Sequence, residues 1–210
     1  MKPTVTEVTA SSNLDFFSRH GRAGFVGLVG CAKGVDKTIR KAQRKLVADG
    51  TWSNFSHAFV VVGPREDGHL WALESDMDFH RERVQLGVQE NRLEKYSDEK
   101  TYPHVALLDF GLTAPQVKKV LGLGLELLAR RTQYSLRELL AVYWSLKRPA
   151  RRQSENALSQ DRAMFCSAFV QHLFFEVGID FSPDVSTKLT LPQDIAATAH
   201  PHRAWVRATS

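Results

Sequence analysis

Ser56-His-Ala-Phe-Val-Val-Val-Gly63 and Gly68-His-Leu-Trp-Ala-Leu-Glu-Ser75 are the two stretches whose reading decides the fold. Each is a run of β-branched and aromatic residues closed by glycine, so each reads as a strand. Pro64, Arg65, Glu66 and Asp67 between the two glycines make a tight connection, which predicts an antiparallel hairpin. Alternation places His57, Phe59 and Val61 on one face of the first strand and Leu70, Ala72 and Glu74 on one face of the second. A hairpin closed at Gly63 and Gly68 sets His57 directly opposite Glu74, with Cβ atoms about 4.5–5.5 Å apart. A slip of the register along the strands puts Asp76 there instead.

Working outward, Gly24 to Gly30 reads as a buried strand, followed by a basic amphipathic helix from Val35 to Ala48 that Gly50 ends. Val84 to Val88 and His104 to Phe110 are weaker strand signals. Thr113 to Arg130 is a helix with Thr113 as N-cap and Pro115 in its first turn. Ser135 to Leu146 reads as a further helix and Pro149 to Gln153 as a loop. Phe165 to Val177 is the last helix, closed by Gly178. The class expected is α+β, a small, mostly antiparallel sheet with helices packed against it.

Composition bounds the function. The chain has 210 residues, 43% hydrophobic and 24% charged, enough to bury one full core. No apolar run approaches the roughly 20 residues of a membrane span, so no transmembrane segment is expected. Met1 to Phe17 carries Glu7 and Asp15 and lacks the apolar centre of a Sec signal, so the protein is expected to be cytoplasmic as synthesised. The net charge of +5 gathers in Lys37 to Lys45 and Lys147 to Arg152, which suits an anionic partner such as a cell-wall polymer or a phospholipid surface. No aromatic-interleaved basic motif accompanies it, so nucleic acid is not an expected partner. Cys31 and Cys166 stand in unrelated contexts, which argues against a disulfide or a CxxC metal site.

Cys166 opens the helix Cys166-Ser-Ala-Phe-Val-Gln-His-Leu-Phe-Phe-Glu-Val177, whose Val170, Leu173, Phe174 and Val177 form one apolar face. A cysteine at that first turn meets unpaired backbone N–H groups and the positive end of the helix dipole, which stabilise a thiolate and can hold an oxyanion. Cys31, at the end of a glycine-rich strand, reads as packing. His57 is the polar residue of an apolar strand, and a carboxylate such as Glu74 or Asp76 beside it would fix the ring's tautomer. No histidine pair shows zinc-ligand spacing, and His200 to His202 reads as exposed loop.

The Ser56-His57-Ala-Phe-Val-Val-Val strand, the following Leu73-Glu74-Ser75 and the late Phe165-Cys166-Ser-Ala-Phe-Val-Gln helix together resemble the circularly permuted papain-like amidases. This YiiX-like group is the permuted branch of the NlpC-type cell-wall peptidases and is similar to the lecithin:retinol acyltransferase group. The tail Val177-Gly-Ile-Asp-Phe181 with Leu191-Pro-Gln-Asp-Ile195 resembles the family's ending. The family's Gly-Asp-(Ile/Leu) opening of the first strand is missing from Gly24 to Gly30. The resemblance spans about Gly24 to Ala197. It implies a single permuted papain-like domain over 1–210, with 1–20 an N-terminal extension and 198–210 a C-terminal tail.

By the same resemblance Cys166 is the nucleophile, His57 the base and Glu74 its orienting carboxylate, with no metal or organic cofactor. The implied activity is a thiol amidase or peptidase acting on a peptide-like amide, with peptidoglycan stem peptides as the substrate class. Export by a specialised secretion system would make the protein an effector. Two alternatives stand beside it: a lipid acyltransferase or phospholipid deacylase with peripheral membrane contact, and a non-catalytic binding module.

Overall fold

The computed structural model describes residues 3–80, 83–130 and 165–208. The chain is α+β, built on one seven-stranded sheet. Its strands are β1 (Thr4–Val8), β2 (Val26–Gly30), β3 (His57–Pro64), β4 (Leu70–His80), β5 (Arg83–Arg92), β6 (His104–Asp109) and β7 (Arg203–Arg207). They lie in the order β1-β7-β6-β2-β3-β4-β5. Every pairing is antiparallel except β1 with β7, which is parallel. The helices are α1 (Asn13–His20), α2 (Gly34–Ala42), α3 (Ala114–Ala129), α4 (Cys166–Phe175) and α5 (Pro192–Ala196). The helix read over Ser135 to Leu146 and the loop over Pro149 to Gln153 lie outside the described residues. Among the described residues, no helix is long and apolar enough to cross a membrane.

β2 and β3 are buried on both faces, which explains their unbroken apolar runs. On one face Val26, Leu28, Ala58, Val60 and Leu73 pack against Phe169, Val170, Leu173 and Phe174 of α4 and Val120 of α3. On the other, Val29, Phe59, Val61 and Ala72 pack against Phe16 and Phe17 of α1 and against Leu93 and Tyr96. Leu93–Tyr96 is a short 3₁₀ turn that follows β5 directly. The two ends of the chain, expected to be an extension and a tail, each contribute a strand. β1 and β7 pair with each other, and β7 joins them to β6.

Three local expectations are corrected. The basic helix stops at Ala42 and continues as a 3₁₀ turn, Gln43–Leu46, because the Gln43 side chain is drawn away to donate to Phe55 O (2.9 Å) and accept from the Gln193 N–H (2.9 Å). His202 is buried against Phe110 rather than lying in an exposed loop. The β3–β4 register also differs. Pro64 pairs with Leu70 and Gly63 with Trp71, and the ladder then shifts between Val61 and Gly63, a bulge at which Gly63 has φ +110°. Below it Val61 pairs with Ala72 and Val60 with Leu73. Continued down the strands, that register sets Asp76 across from His57 and moves Glu74 to the diagonal position on the same face.

Gly27 of β2 lies directly against the Phe59 ring. A Cβ there would lie 2.1 Å from the Phe59 ring, which stacks on Tyr96 with centroids 5.2 Å apart. Gly27→Ala is expected to lower unfolding free energy by about 1–3 kcal/mol, read from the denaturant midpoint, because neither ring has room to retreat.

Candidate functional site

His57 is the first residue of β3 and pairs with Val29 of β2. Its side chain shares the face of Phe59 and Val61, and the ring lies 6.1 Å from that of Tyr96. α4 packs on the opposite face of the same strands. α4 packs against β3 and β4, and the Cys166 sulfur at its first position is near enough to the imidazole to act on its charge. His57 Nε2 lies 2.6 Å from Glu74 Oε2. That leaves Nδ1 to face the thiol, with Asp76 Oδ1 3.9 Å from the same nitrogen. Burial alone would lower the His57 pKa, but the Cys166 sulfur and the Asp76 and Glu74 carboxylates outweigh it and hold it well above 6.5.

No family model matches the chain, and neither does any curated protein. The site is therefore read from its own chemistry. Cys166 is half-buried at the first position of α4, with Phe165 as N-cap. The first N–H groups of a helix have no partner within it, so they and the dipole's positive end face the sulfur. Ser167 Oγ donates to Thr190 O (2.6 Å), fixing the first turn against the segment before α5. The Leu191 to Ile195 motif holds the wall beside it: Ser53 Oγ donates to Gln193 Oε1 (2.8 Å), and the Leu191 N–H donates to Asp194 Oδ2 (2.8 Å).

Glu74 is fully buried and accepts from four donors. Oε2 takes His57 Nε2 and the Tyr96 hydroxyl; Oε1 takes Asn91 Nδ2 (2.7 Å) and Lys95 Nζ (2.8 Å). Lys95 also donates to Asp76 Oδ2. Burial would raise the Glu74 pKa, but Lys95 and His57 overcome it and hold the carboxyl far below 4.5. The two carboxylates in turn hold the Lys95 ammonium above its usual range despite burial. The Tyr96 phenol is pushed up, first by burial and then by Glu74.

Among the described residues, His57, Glu74 and Asp76 place ligand-type atoms within 4.8 Å of one another, the kind of set that can hold a metal ion. The Lys95 ammonium already bonds both carboxylates, so the cation position between them is filled by the protein itself.

Of the residues singled out in the sequence, Cys166, His57, Glu74 and Asp76 are brought together. Cys31 lies closer to the site than its packing role suggested. Its thiol meets Asp36 of α2, and its N–H donates to Ser56 Oγ (3.1 Å). The Asp36 carboxyl is raised by burial and by Asp76 although the His57 charge acts to lower it, and it bonds the side chains of Ser56 and Cys31. Sequence reasoning missed Asn91, Lys95, Tyr96 and Asp36. A signal existed for Asn91: extending the weak Val84 to Val88 strand to Arg92 puts Gln89 and Asn91 on the face of Glu74.

Proposed function

We propose that this protein is a cysteine amidase or peptidase with Cys166 as nucleophile, His57 as proton carrier and Glu74 as the carboxylate that orients His57. The observation that carries this reading is a thiol at a helix N-terminus beside an imidazole whose Nε2 is 2.6 Å from a buried carboxylate. In the reaction the Cys166 thiolate adds to the amide carbonyl, and the oxyanion meets the backbone N–H of Cys166. As the C–N bond breaks, imidazolium Nδ1 gives its proton to the leaving amine. Water then attacks the thioester while Nδ1 takes its proton, and the released thiolate regains its imidazolium partner. Glu74 stays ionised throughout and stabilises the charged ring.

With the histidine strand before the cysteine helix, the chain fits a permuted papain-like domain of the YiiX-like kind. We read its substrate as a peptide-like amide of the peptidoglycan stem. That target lies outside the cytoplasm, and the reading includes export by a specialised secretion system; recovery from the cytosol alone under every growth condition would contradict that route. One feature favours a second reading, deacylation of phospholipid: Trp52 is 40% exposed beneath Lys41 (5.7 Å), beside the exposed Lys37, Arg44 and Lys45.

The deciding experiment incubates purified peptidoglycan and phosphatidylglycerol vesicles separately with the enzyme and identifies products by mass spectrometry. New amine and carboxylate ends from peptidoglycan support the amidase, and released fatty acid supports the second reading. Inertness toward both, with Cys166 also inert to a small electrophile, would mark a binding module and sink the proposal.

A further inference from the structure

We propose that Lys95 is a positioning residue for the Cys166–His57 pair: its ammonium clamps Glu74 and Asp76 together and keeps Glu74 a charged acceptor at His57 Nε2. The inference rests on the catalytic reading above and adds a residue to it. Glu74 and Asp76 stand at alternate positions of β4 and so project to the same side, within one ligand-sized cluster with His57. Two carboxylates this close, Glu74 fully buried and Asp76 24% exposed, need cations beside them to stay ionised together. The His57 ring supplies one only while it is protonated; Lys95 Nζ is the one that stays charged, 2.8 Å from Glu74 Oε1 and bonded to Asp76 Oδ2, on a side chain 23% exposed.

The groups around this clamp come from every neighbouring element: His57 of β3, Asp36 of α2, Cys166 of α4, Asn91 of β5 and Tyr96 of the same 3₁₀ turn. Tyr102 lies beyond, packed edge-on against Tyr96, its phenol pushed up to about 12 by burial. If Lys95 is removed, Glu74 loses the largest influence that keeps it ionised and has only the His57 ring left as a counter-charge, so it takes up a proton more readily. A protonated Glu74 donates to Nε2 instead of accepting from it. The ring then carries its proton on Nδ1, facing the sulfur, and can no longer take one from it. A device that only held the fold would not couple to the proton inventory in this way.

The test measures the rate at which iodoacetamide alkylates Cys166 in the whole protein between pH 5 and 9, read by mass spectrometry of the Cys166 peptide. In Lys95→Met the acid limb of the pH–rate curve is expected to move up by about one unit or more, so that the rate near its foot falls ~10-fold. Lys95→Arg, which keeps the charge, is expected to retain most of the wild-type curve. Lys95→Met combined with Asp76→Asn removes one carboxylate with the cation and is expected to return the limb toward its wild-type position. Should Lys95→Met fail to fold, this charge-balanced double variant and Lys95→Arg carry the test. An unmoved acid limb in folded Lys95→Met, or a double variant no closer to wild type than the single, overturns the proposal. Wild-type alkylation indifferent to replacement of His57 would be a different failure, that of the catalytic reading itself.

Discussion

Cys166→Ala is expected to reduce product release from the responsive substrate by about 10⁴–10⁶-fold, to the background of the uncatalysed reaction. In the proposed reaction the sulfur forms the covalent bond, so nothing else in the cleft replaces it. α4 is anchored by Phe169, Val170, Leu173 and Phe174, all fully buried, and not by the half-buried sulfur, so the variant should fold as well as the wild type. His57→Ala should lose activity on a similar scale, and the double variant should lose no more than either single one, because the two groups act as one unit. Product release that survives Cys166→Ala would assign the chemistry elsewhere. The check is a progress curve with matched thermal denaturation of each variant.

Glu74→Gln carries the second large expectation, and its effect falls on both activity and stability. The carboxamide is nearly isosteric, but its NH₂ presented to His57 Nε2 forces that nitrogen to accept. The ring proton then sits on Nδ1, the tautomer that cannot take the thiol's proton, and kcat should fall about 10³–10⁴-fold. Lys95 meanwhile keeps Asp76 but loses the buried charge at Oε1. Breaking one partner from a buried ionic cluster costs about 3–5 kcal/mol, a large share of a domain's about 5–15 kcal/mol. The folded-state pKa of Glu74 is lowered from 4.5, so its contribution is fully present above that value and is lost as pH falls toward the folded one. Wild-type melting temperature should therefore drop more steeply than that of Glu74→Gln below about pH 4.5. Equal acid slopes for the two proteins would contradict the charge state assigned to Glu74.

What could be read from the sequence followed burial. β3 and α4 announce themselves because Val60, Val61, Val170 and Leu173 must leave water, and the polar exceptions in those runs, His57 and Cys166, stand out against them. β1 carries no such mark: Thr4 to Glu7 are exposed on an edge strand, and the pairing that holds them lies at the far end of the chain in β7. α1 is short, and its two consecutive phenylalanines show no helical period until the second core is seen to receive both. The register failed for a local reason. Loop length predicts Gly63 opposite Gly68, but the ladder closes three residues further along, with Gly63 opposite Trp71, and the bulge between Val61 and Gly63 takes back only one of the three; the carboxylate at His57 Nε2 is nonetheless Glu74, because its side chain reaches the ring from the diagonal. Lys95 was invisible for a general one. An isolated lysine beyond a strand looks like solvated surface until two carboxylates are found behind it.

The account stands on the contact between Cys166 and His57 at the end of β3. Titrating the ¹⁵N-labelled ring of His57 by NMR in the wild type and in Cys166→Ser tests it most directly. The predicted result is a wild-type midpoint well above 6.5 that falls when the sulfur is replaced, because Cys166 is the largest influence raising it. A midpoint that stays where it was after the substitution would show that the sulfur and the imidazole do not share a proton.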